Sequence, residues 1–195
     1  MNVETVNRHL QLHVQNDGSV SVDMGAPDIN PQGVPFVLSE QAHPDDQLEA
    51  ATYTIQVNGK AQTLSAISMG NPHAVLVVDD TETTPVRELA IPIQEHPQFP
   101  EGVNVGFMQV LSRTEINLRV YERGAGETLA CGTGACAAMV AGRLRGLLDD
   151  TVKVNLLGGT LSIHWPGSVE GNKANQQSVI KTGPATSVFH GQIRL

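Results

Sequence analysis

The sequence has few cysteines, few basic residues and no long apolar run. Its 195 residues include two cysteines, and 12 Lys and Arg stand against 20 Asp and Glu, for a net charge of −8. This balance leaves no basic patch to neutralise phosphates, so nucleic acid is not expected as a partner. No apolar stretch approaches the roughly 20 residues of a membrane-spanning helix. The first residues lack the basic and apolar segments of a secretory signal, so none is expected, and the lack of a long apolar run predicts no membrane partner.

The two cysteines indicate neither a disulfide nor a metal site. Cys131 and Cys136 lie five residues apart, and helical spacing would direct their side chains differently. Their C-x₄-C spacing is also not that of a thioredoxin-like motif. A zinc site needs further ligands at a recognised spacing, and the histidines are scattered. This cysteine usage indicates a reduced, cytoplasmic protein.

Alternating apolar and polar residues predict strand pairs along most of the chain. The expected pairs cover residues 10–24, 52–69, 104–122, 152–165 and 178–195. A short apolar run at 74–78 predicts one buried strand. The stretch 24–36 contains three prolines and two glycines, so it predicts an irregular crossover between domains. Residues 166–177 are polar and predict a loop.

Two segments have the pattern of a helix. Residues 85–95 begin with a proline, which the first turn tolerates. Residues 132–148 place apolar side chains at intervals of three and four, which predicts a helix with a buried stripe that includes Cys136. Many antiparallel strands around few helices indicate an α+β fold.

The stretch GAGETLACGTGAC, residues 124–136, places Cys131 directly before the second predicted helix. A thiol at a helix N-terminus meets unpaired N–H groups and the positive end of the helix dipole, and both favour the thiolate. The glycines that follow let main-chain amides approach an anion such as a carboxylate. The same pattern suits a small buried cysteine that packs a tight turn, and both interpretations stand. A dinucleotide-binding loop is rejected, because Gly132-x-Gly134-x-x-Ala137 does not directly follow a strand and no suitable acid lies about 20 residues on.

Polar side chains interrupt apolar sequence at four further places. Glu122 continues the apolar face of its strand by period two, so its carboxylate must be paired or functional; the alternative is an ion pair at the strand end. Arg123 points the other way unless the glycines after it bend the chain. Asn71 precedes a proline and is held extended, so its amide can face a ligand. His73 can change the pKa of a nearby thiol, donate to a carboxylate, or simply be solvated. Asn104 is another amide among small apolar residues, and it can likewise face a ligand or be solvated.

Three motifs together resemble the diaminopimelate epimerase family: SMGNPHAV, FPEGVNVGFMQV and YERGAGETLACGTGACAA. The resemblance covers essentially the whole chain. It implies an α+β fold of two pseudo-symmetric domains, each an antiparallel strand barrel around a central helix, with the substrate between them. It also implies cofactor-independent epimerisation of LL- to meso-diaminopimelate by two cysteines, on the route to lysine and peptidoglycan. A homodimer, with neither cofactor nor metal, is implied for the intact enzyme.

The resemblance assigns roles residue by residue. Cys131 corresponds to one of the two catalytic cysteines. His73 and Glu122 correspond to positions that modulate the pKa of the cysteines. The positions that correspond to substrate-contacting residues are Asn71, Asn104, Glu122, Arg123, Gly132 and Thr133, of which the last two form an amide cradle for a substrate carboxylate.

One family motif is absent from this sequence. The other catalytic cysteine of the family lies in a Cys-Gly-Asn-Gly motif of the N-terminal part, which this sequence does not contain. The resemblance therefore implies the C-terminal part of the enzyme, with 32–182 as the C-terminal domain and 1–31 and 183–195 as a remnant of the N-terminal one. We expect this chain alone to be inactive or nearly so. The alternatives are another isomerase of the same fold, such as a proline racemase, and a non-catalytic remnant or half-enzyme that needs a partner chain.

Overall fold

The chain folds into short strands and two α-helices in the computed structural model, which describes residues 1–4, 9–38, 52–167, 169–170, 173–174 and 177–193. The strands are β1 (Asn2–Glu4), β2 (His9–Val14), β3 (Val20–Asp23), β4 (Thr52–Val57), β5 (Lys60–Ser68), β6 (Pro72–Val77), β7 (Asn104–Ser112), β8 (Glu115–Glu122), β9 (Gly126–Thr128), β10 (Thr151–Leu156), β11 (Gly159–His164), β12 (Val169–Glu170), β13 (Lys173–Ala174) and β14 (Ile180–Gly183). The helices are α1 (Val86–Gln94) and α2 (Gly132–Leu144).

One large mixed sheet joins most of the described strands. Its order is β1-β2-β3-β14-β11-β10-β8-β7-β6-β5-β4, and β9 pairs with β8 outside this path. Most neighbours are antiparallel hairpin partners, as the alternating sequence predicts. The pairs β6–β7 and β8–β10 are parallel instead. Parallel strands need a crossover connection, and the two helices lie in these crossovers, α1 in the first and α2 in the second. The sheet, which was expected to be antiparallel, therefore contains two parallel pairs.

The sheet wraps around α2, which confirms the expected central helix. Strands β5, β6, β7, β8, β10 and β11 all contact it. Every residue from Gly134 to Gly142 is buried, as expected of a helix that is enclosed on all sides. The helix ends at Leu144 rather than at the predicted 148, because Gly146 adopts a φ of +70° and turns the chain. Leu148 then folds back into the same core.

A second core lies between the sheet and α1. Along β6, the side chain of Val75 joins the core around α2, while Ala74 and Leu76 join the core around α1. This alternation follows the two-residue period of a strand. Val86, Ala90 and Ile93 form the buried face of α1, at the position that the sequence predicts.

Three segments differ from the sequence-based expectations. The predicted strand pair at 178–195 is wrong: β14 is a single strand between β3 and β11, and the exposed residues 184–193 have no regular structure. The irregular stretch 24–36 contains a short 3₁₀ helix, Pro31–Gly33. In the predicted loop 166–177, β12 and β13 form a small antiparallel pair, while residues 168, 171–172 and 175–176 lie outside the described residues.

We predict that Gly142→Ala destabilises the protein, because a Cβ at this position would overlap with Cδ1 of Leu148. Overpacking of this kind costs about 1–3 kcal/mol, against a gain in helix propensity of about 1 kcal/mol for Ala over Gly. Urea unfolding measures the change. In a Leu148→Ala background the obstructing atoms are gone, so the same substitution should become neutral or stabilising. An equal cost in both backgrounds would contradict this packing.

Candidate active site

Cys131 lies immediately before α2, with its sulfur against the first turn of the helix. Its backbone is extended, at φ −132° and ψ 105°, and its side chain is 5% exposed. A Cβ on Gly134 would lie 3.2 Å from Sγ of Cys131 and 3.1 Å from Cγ2 of Val120. Gly134 therefore lets the helix N-terminus approach the sulfur.

Glu122 ends β8 on the apolar face that packs against α2. Ile116, Leu118 and Val120 on this face belong to the core around α2, and Glu122 follows them by period two. Thr128 Oγ1 donates a hydrogen bond of 2.6 Å to one carboxylate oxygen. The thiol of Cys131 donates to the other oxygen at 3.3 Å. The carboxylate is thus paired with a hydroxyl and a thiol, and the alternative of an ion pair at the strand end does not describe it.

The surroundings of Cys131 raise the pKa of its thiol. Burial is the largest cause, because it penalises the thiolate, and the carboxylate of Glu122 acts in the same direction. The hydroxyl of Thr133 and the amide of Gly134 lower the pKa but do not outweigh burial. The helix N-terminus therefore acts in the expected direction, through the amide of Gly134, but burial outweighs its effect on the pKa of Cys131. Burial and the carboxylate of Glu122 both favour the protonated thiol.

A line of hydrogen bonds connects His73 to Cys131. The ring Nε2 of His73 lies 3.2 Å from Oδ1 of Asn71, and Nδ2 of Asn71 donates to Oγ1 of Thr133 at 3.3 Å. That hydroxyl lies 3.6 Å from the sulfur of Cys131. His73 is 1% exposed, and burial lowers its pKa to about 3. It is therefore a neutral, buried side chain, which excludes the alternative of a solvated histidine.

Asn104 connects three strands at the edge of this cluster. Its Nδ2 donates to the carbonyl of Pro72 at 3.0 Å, and its Oδ1 accepts from the backbone N–H of Arg123 at 2.9 Å. The side chain of Arg123 turns away and donates to the carbonyl of Glu101. Asn104 is buried, so it holds the start of β6 and the end of β8 in position.

All the predicted site residues lie in one region, at the starts of β6, β7 and α2 and the end of β8. Sequence reasoning missed two neighbours. Thr128 lies within the stretch GAGETLACGTGAC that contains Cys131. It is paired with Val120 across β8 and β9, so its side chain faces Glu122. Lys181 has no such signal, because β14 is distant in sequence. A Cβ on Gly132 would lie 2.8 Å from its Nζ.

Lys181 points toward α2. Its cross-strand partners are Ile163 and Val22, and both pack in the core around α2. Directly opposed residues of an antiparallel pair share a face, so the ammonium group lies on the inner face of the sheet, beside the first residue of the helix.

The described ranges of the chain contain no group of three or more His, Cys, Asp or Glu residues that could hold a metal ion. Neither of the two α-helices in these ranges is long and apolar enough to cross a membrane.

Comparison with known proteins identifies close relatives. A model of the family "Diaminopimelate epimerase" matches residues 65–188. The chain is 52% identical over 193 residues to a diaminopimelate epimerase of Alkalilimnicola ehrlichii and 55% identical over 194 residues to one of Cupriavidus taiwanensis. In both cases the match covers 99% of this chain and 64% of the relative. The chain therefore spans less than two thirds of the length of these relatives.

Solved structures with a similar fold are more distant in sequence. A probable proline racemase from Agrobacterium radiobacter matches with a TM-score of 0.66 at 17% identity, over 100% of this chain and 60% of that one. A hydroxyproline epimerase from Agrobacterium vitis matches with a TM-score of 0.62 at 18% identity, over 94% of this chain and 55% of that one. At these identities the likeness shows the fold, which agrees with the expected α+β architecture.

The raised pKa of Cys131 predicts the pH dependence of its alkylation. Because the thiolate is the nucleophile, iodoacetamide should label Cys131 slowly at neutral pH. The labelling rate should reach half its maximum at a pH above about 8.5, the pKa of an ordinary cysteine. Cys136, with no exposed surface, should be labelled more slowly still.

Glu122→Gln tests the contribution of the carboxylate to the raised pKa of Cys131. The substitution keeps the shape and removes the charge, so the profile of Cys131 should move to lower pH. Mass mapping of the two cysteines measures both profiles. Two results would contradict the description of the site. One is a half-maximal labelling rate of wild-type Cys131 at or below the pH expected for an ordinary cysteine. The other is preferential labelling of Cys136.

Proposed function

The chain belongs to the diaminopimelate epimerase family, and on this premise we propose that it supplies one half of the active site of an enzyme that epimerises LL-diaminopimelate to meso-diaminopimelate without a cofactor. The observation that carries the proposal is the position of the Cys131 thiol, which donates a hydrogen bond to Glu122 at the N-terminus of α2. A buried thiol that can gain and lose a proton beside a cluster of amides suits proton transfer at a carbon next to a carboxylate.

Inversion at such a carbon needs a base on one face and an acid on the other. Cys131 rests as the acid. Its S–H bond breaks as the proton passes to the substrate carbanion, and the electron pair remains on sulfur as the thiolate. In the reverse direction the thiolate takes the proton from the substrate. The neighbouring amide of Gly134 and hydroxyl of Thr133 stabilise the thiolate state.

The second face needs a group from outside this chain. Cys136 is the only other cysteine of the sequence, and it is fully buried in the core around α2. We propose that a segment with the other catalytic cysteine supplies the base that faces Cys131. On this proposal the chain contributes one thiol, which serves one face of the substrate carbon, so the chain alone does not turn over the substrate.

The N-terminus of α2 is our candidate for the substrate carboxylate. Within the helix, the first backbone hydrogen bond is donated by Ala135 to the carbonyl of Cys131, so the N–H groups of Gly132 and Thr133 lie in the unpaired first turn. Negative charge builds up on the carboxylate as the carbon loses its proton, and such donors stabilise it. The ammonium group of Lys181 beside Gly132 adds a positive charge at the same place.

The remaining polar residues are candidates for holding the rest of the substrate. Asn71 and Asn104 each retain one amide N–H beyond the contacts described above. Arg123 retains unused guanidinium donors beyond its bond to the carbonyl of Glu101. Glu122 can accept from a substrate ammonium group while it contributes to the raised pKa of Cys131, and His73 acts on that thiol through Asn71 and Thr133.

We further propose that residues 32–182 are the C-terminal domain and that 1–31 and 183–195 pack with the N-terminal domain. The exposed side chains of Val188, Phe189 and Ile193 support this division, because apolar side chains on an irregular tail gain stability only when another surface covers them. A homodimer in the cytoplasm is the proposed state of the intact enzyme. The racemases and epimerases of similar fold do not favour another substrate, because their likeness extends to the fold alone.

The test is incubation of LL-diaminopimelate in D₂O followed by chiral analysis. We expect no epimerisation by the chain alone and clear epimerisation when the N-terminal third of a close relative is supplied as a separate segment. With that segment, Cys131→Ala should lower the rate by at least about 10²–10⁴-fold, the usual contribution of a general acid or base. Cys136→Ala is the matched control and should keep most of the activity.

Two outcomes would contradict the proposal. Epimerisation by the chain alone would contradict the argument that two opposed groups are needed. Full activity of Cys131→Ala with the segment would contradict the assignment of Cys131. Parallel incubation with proline tests the alternative substrate class, and racemisation of proline without turnover of diaminopimelate would favour it.

A further inference from the structure

The hydroxyl of Thr133 lies between an amide and the reactive sulfur, and its direction decides what it does. A hydroxyl donates one hydrogen bond and accepts up to two. Nδ2 of Asn71, 3.3 Å away, can only donate, so Thr133 must accept this bond. Its own proton is then available for the sulfur of Cys131 at 3.6 Å.

The amide of Asn71 could reverse this direction if it turned over. Its oxygen would then face Thr133 and draw the hydroxyl proton away from the sulfur. His73 opposes this turn, because its Nε2 lies 3.2 Å from Oδ1 of Asn71. A neutral imidazole carries one N–H. The contact with an amide oxygen requires the tautomer with this N–H at Nε2, which donates to that oxygen and holds it. The ring keeps its neutral state, since His73 is 1% exposed.

The sulfur of Cys131 therefore has two neighbours with opposite preferences. Glu122 accepts the thiol proton at 3.3 Å, which favours the protonated state. Once the proton has left, burial and the carboxylate both disfavour the thiolate. A hydrogen bond from Thr133 stabilises only that charged state. Among the described residues, a further charged group, Lys181, approaches from β14 beside Gly132.

We propose that His73 and Asn71 are positioning residues that fix the direction of the Thr133 hydroxyl, so that it donates to the sulfur of Cys131 when the thiol gives up its proton. Each group in the line donates to the next, from His73 to Asn71, to Thr133 and to Cys131. The inference rests on the proposed function, in which Cys131 is a proton donor and acceptor. It adds that the direction of the Thr133 hydroxyl is fixed by the amide of Asn71, which His73 holds in turn.

The test is a double-mutant cycle read from the pH profile of Cys131 labelling in this chain. Thr133→Val keeps the shape and removes the hydroxyl, so the pKa of Cys131 should rise by about one unit, a tenfold loss of thiolate at a given pH. Thr133→Ser restores the donor and should restore the profile. Asn71→Leu removes the group that directs the hydroxyl, so it should also raise the pKa when Thr133 is present, but cause no further change in the Thr133→Val background.

A second substitution guards against a loss of structure in Asn71→Leu. Asn71→Asp has nearly the same shape but can only accept, so the hydroxyl of Thr133 should turn toward it and leave the sulfur. Its effect on the pKa should again be larger when Thr133 is present than in the Thr133→Val background. Equal shifts in both backgrounds, or an unchanged profile in Thr133→Val, would overturn the inference.

The labelling assay and the turnover assay distinguish this inference from the proposed function. The pH profile needs neither the N-terminal segment nor the substrate. Coupling between Asn71 and Thr133 without epimerisation in the complemented enzyme would contradict the proposed function and support the positioning of the hydroxyl. Epimerisation without coupling would support the function and contradict this inference.

Discussion

The contact between the thiol of Cys131 and the carboxylate of Glu122 is the interaction on which the site depends. It places an acidic proton beside a negative charge in a buried position, and both conditions keep the proton on sulfur. A tight turn between β8 and β9 makes this contact possible. Strand β8 ends at Glu122, and Gly124 and Gly126 adopt φ values of +79° and +80°. L-residues with side chains rarely adopt this conformation, so the two glycines let β9 fold back and deliver Cys131 beside the end of β8.

The topology of the sheet brings the other residues to the same place. Because β6 and β7 are parallel, their first residues lie side by side, and His73 is opposite Asn104. Strand β8 is antiparallel to β7, so its last residue reaches the same edge. The crossover from β8 to β10 contains α2, whose N-terminus then faces this edge. Polar groups from three strands and one helix therefore meet without a long connecting loop, and Asn104 holds two of these strands together through their backbones.

Much of this arrangement could be predicted from local sequence. Period-two alternation predicts the hairpins and the unusual position of Glu122, and the apolar stripe predicts α2. The sign of the pKa shift of Cys131 could not be predicted, because it depends on burial and on a carboxylate that only the folded chain brings near. The parallel pairs and Lys181 were also missed, since both depend on contacts between residues far apart in sequence. The tail after Gly183 has apolar residues that suggest a strand, but no described neighbour with which to pair.

Raman spectroscopy of the cysteine S–H stretch tests the central claim most directly, because it observes the proton on sulfur without alkylation or turnover. The difference between the wild-type protein and Cys131→Ser isolates the band of Cys131 from that of Cys136. Our account predicts an S–H band of Cys131 at neutral pH, at a frequency lowered by its hydrogen bond to Glu122, and a shift to higher frequency in Glu122→Gln. The absence of this band at neutral pH would mean that Cys131 is a thiolate, and an unchanged frequency in Glu122→Gln would mean that its proton is not held by Glu122. Either result would contradict the account.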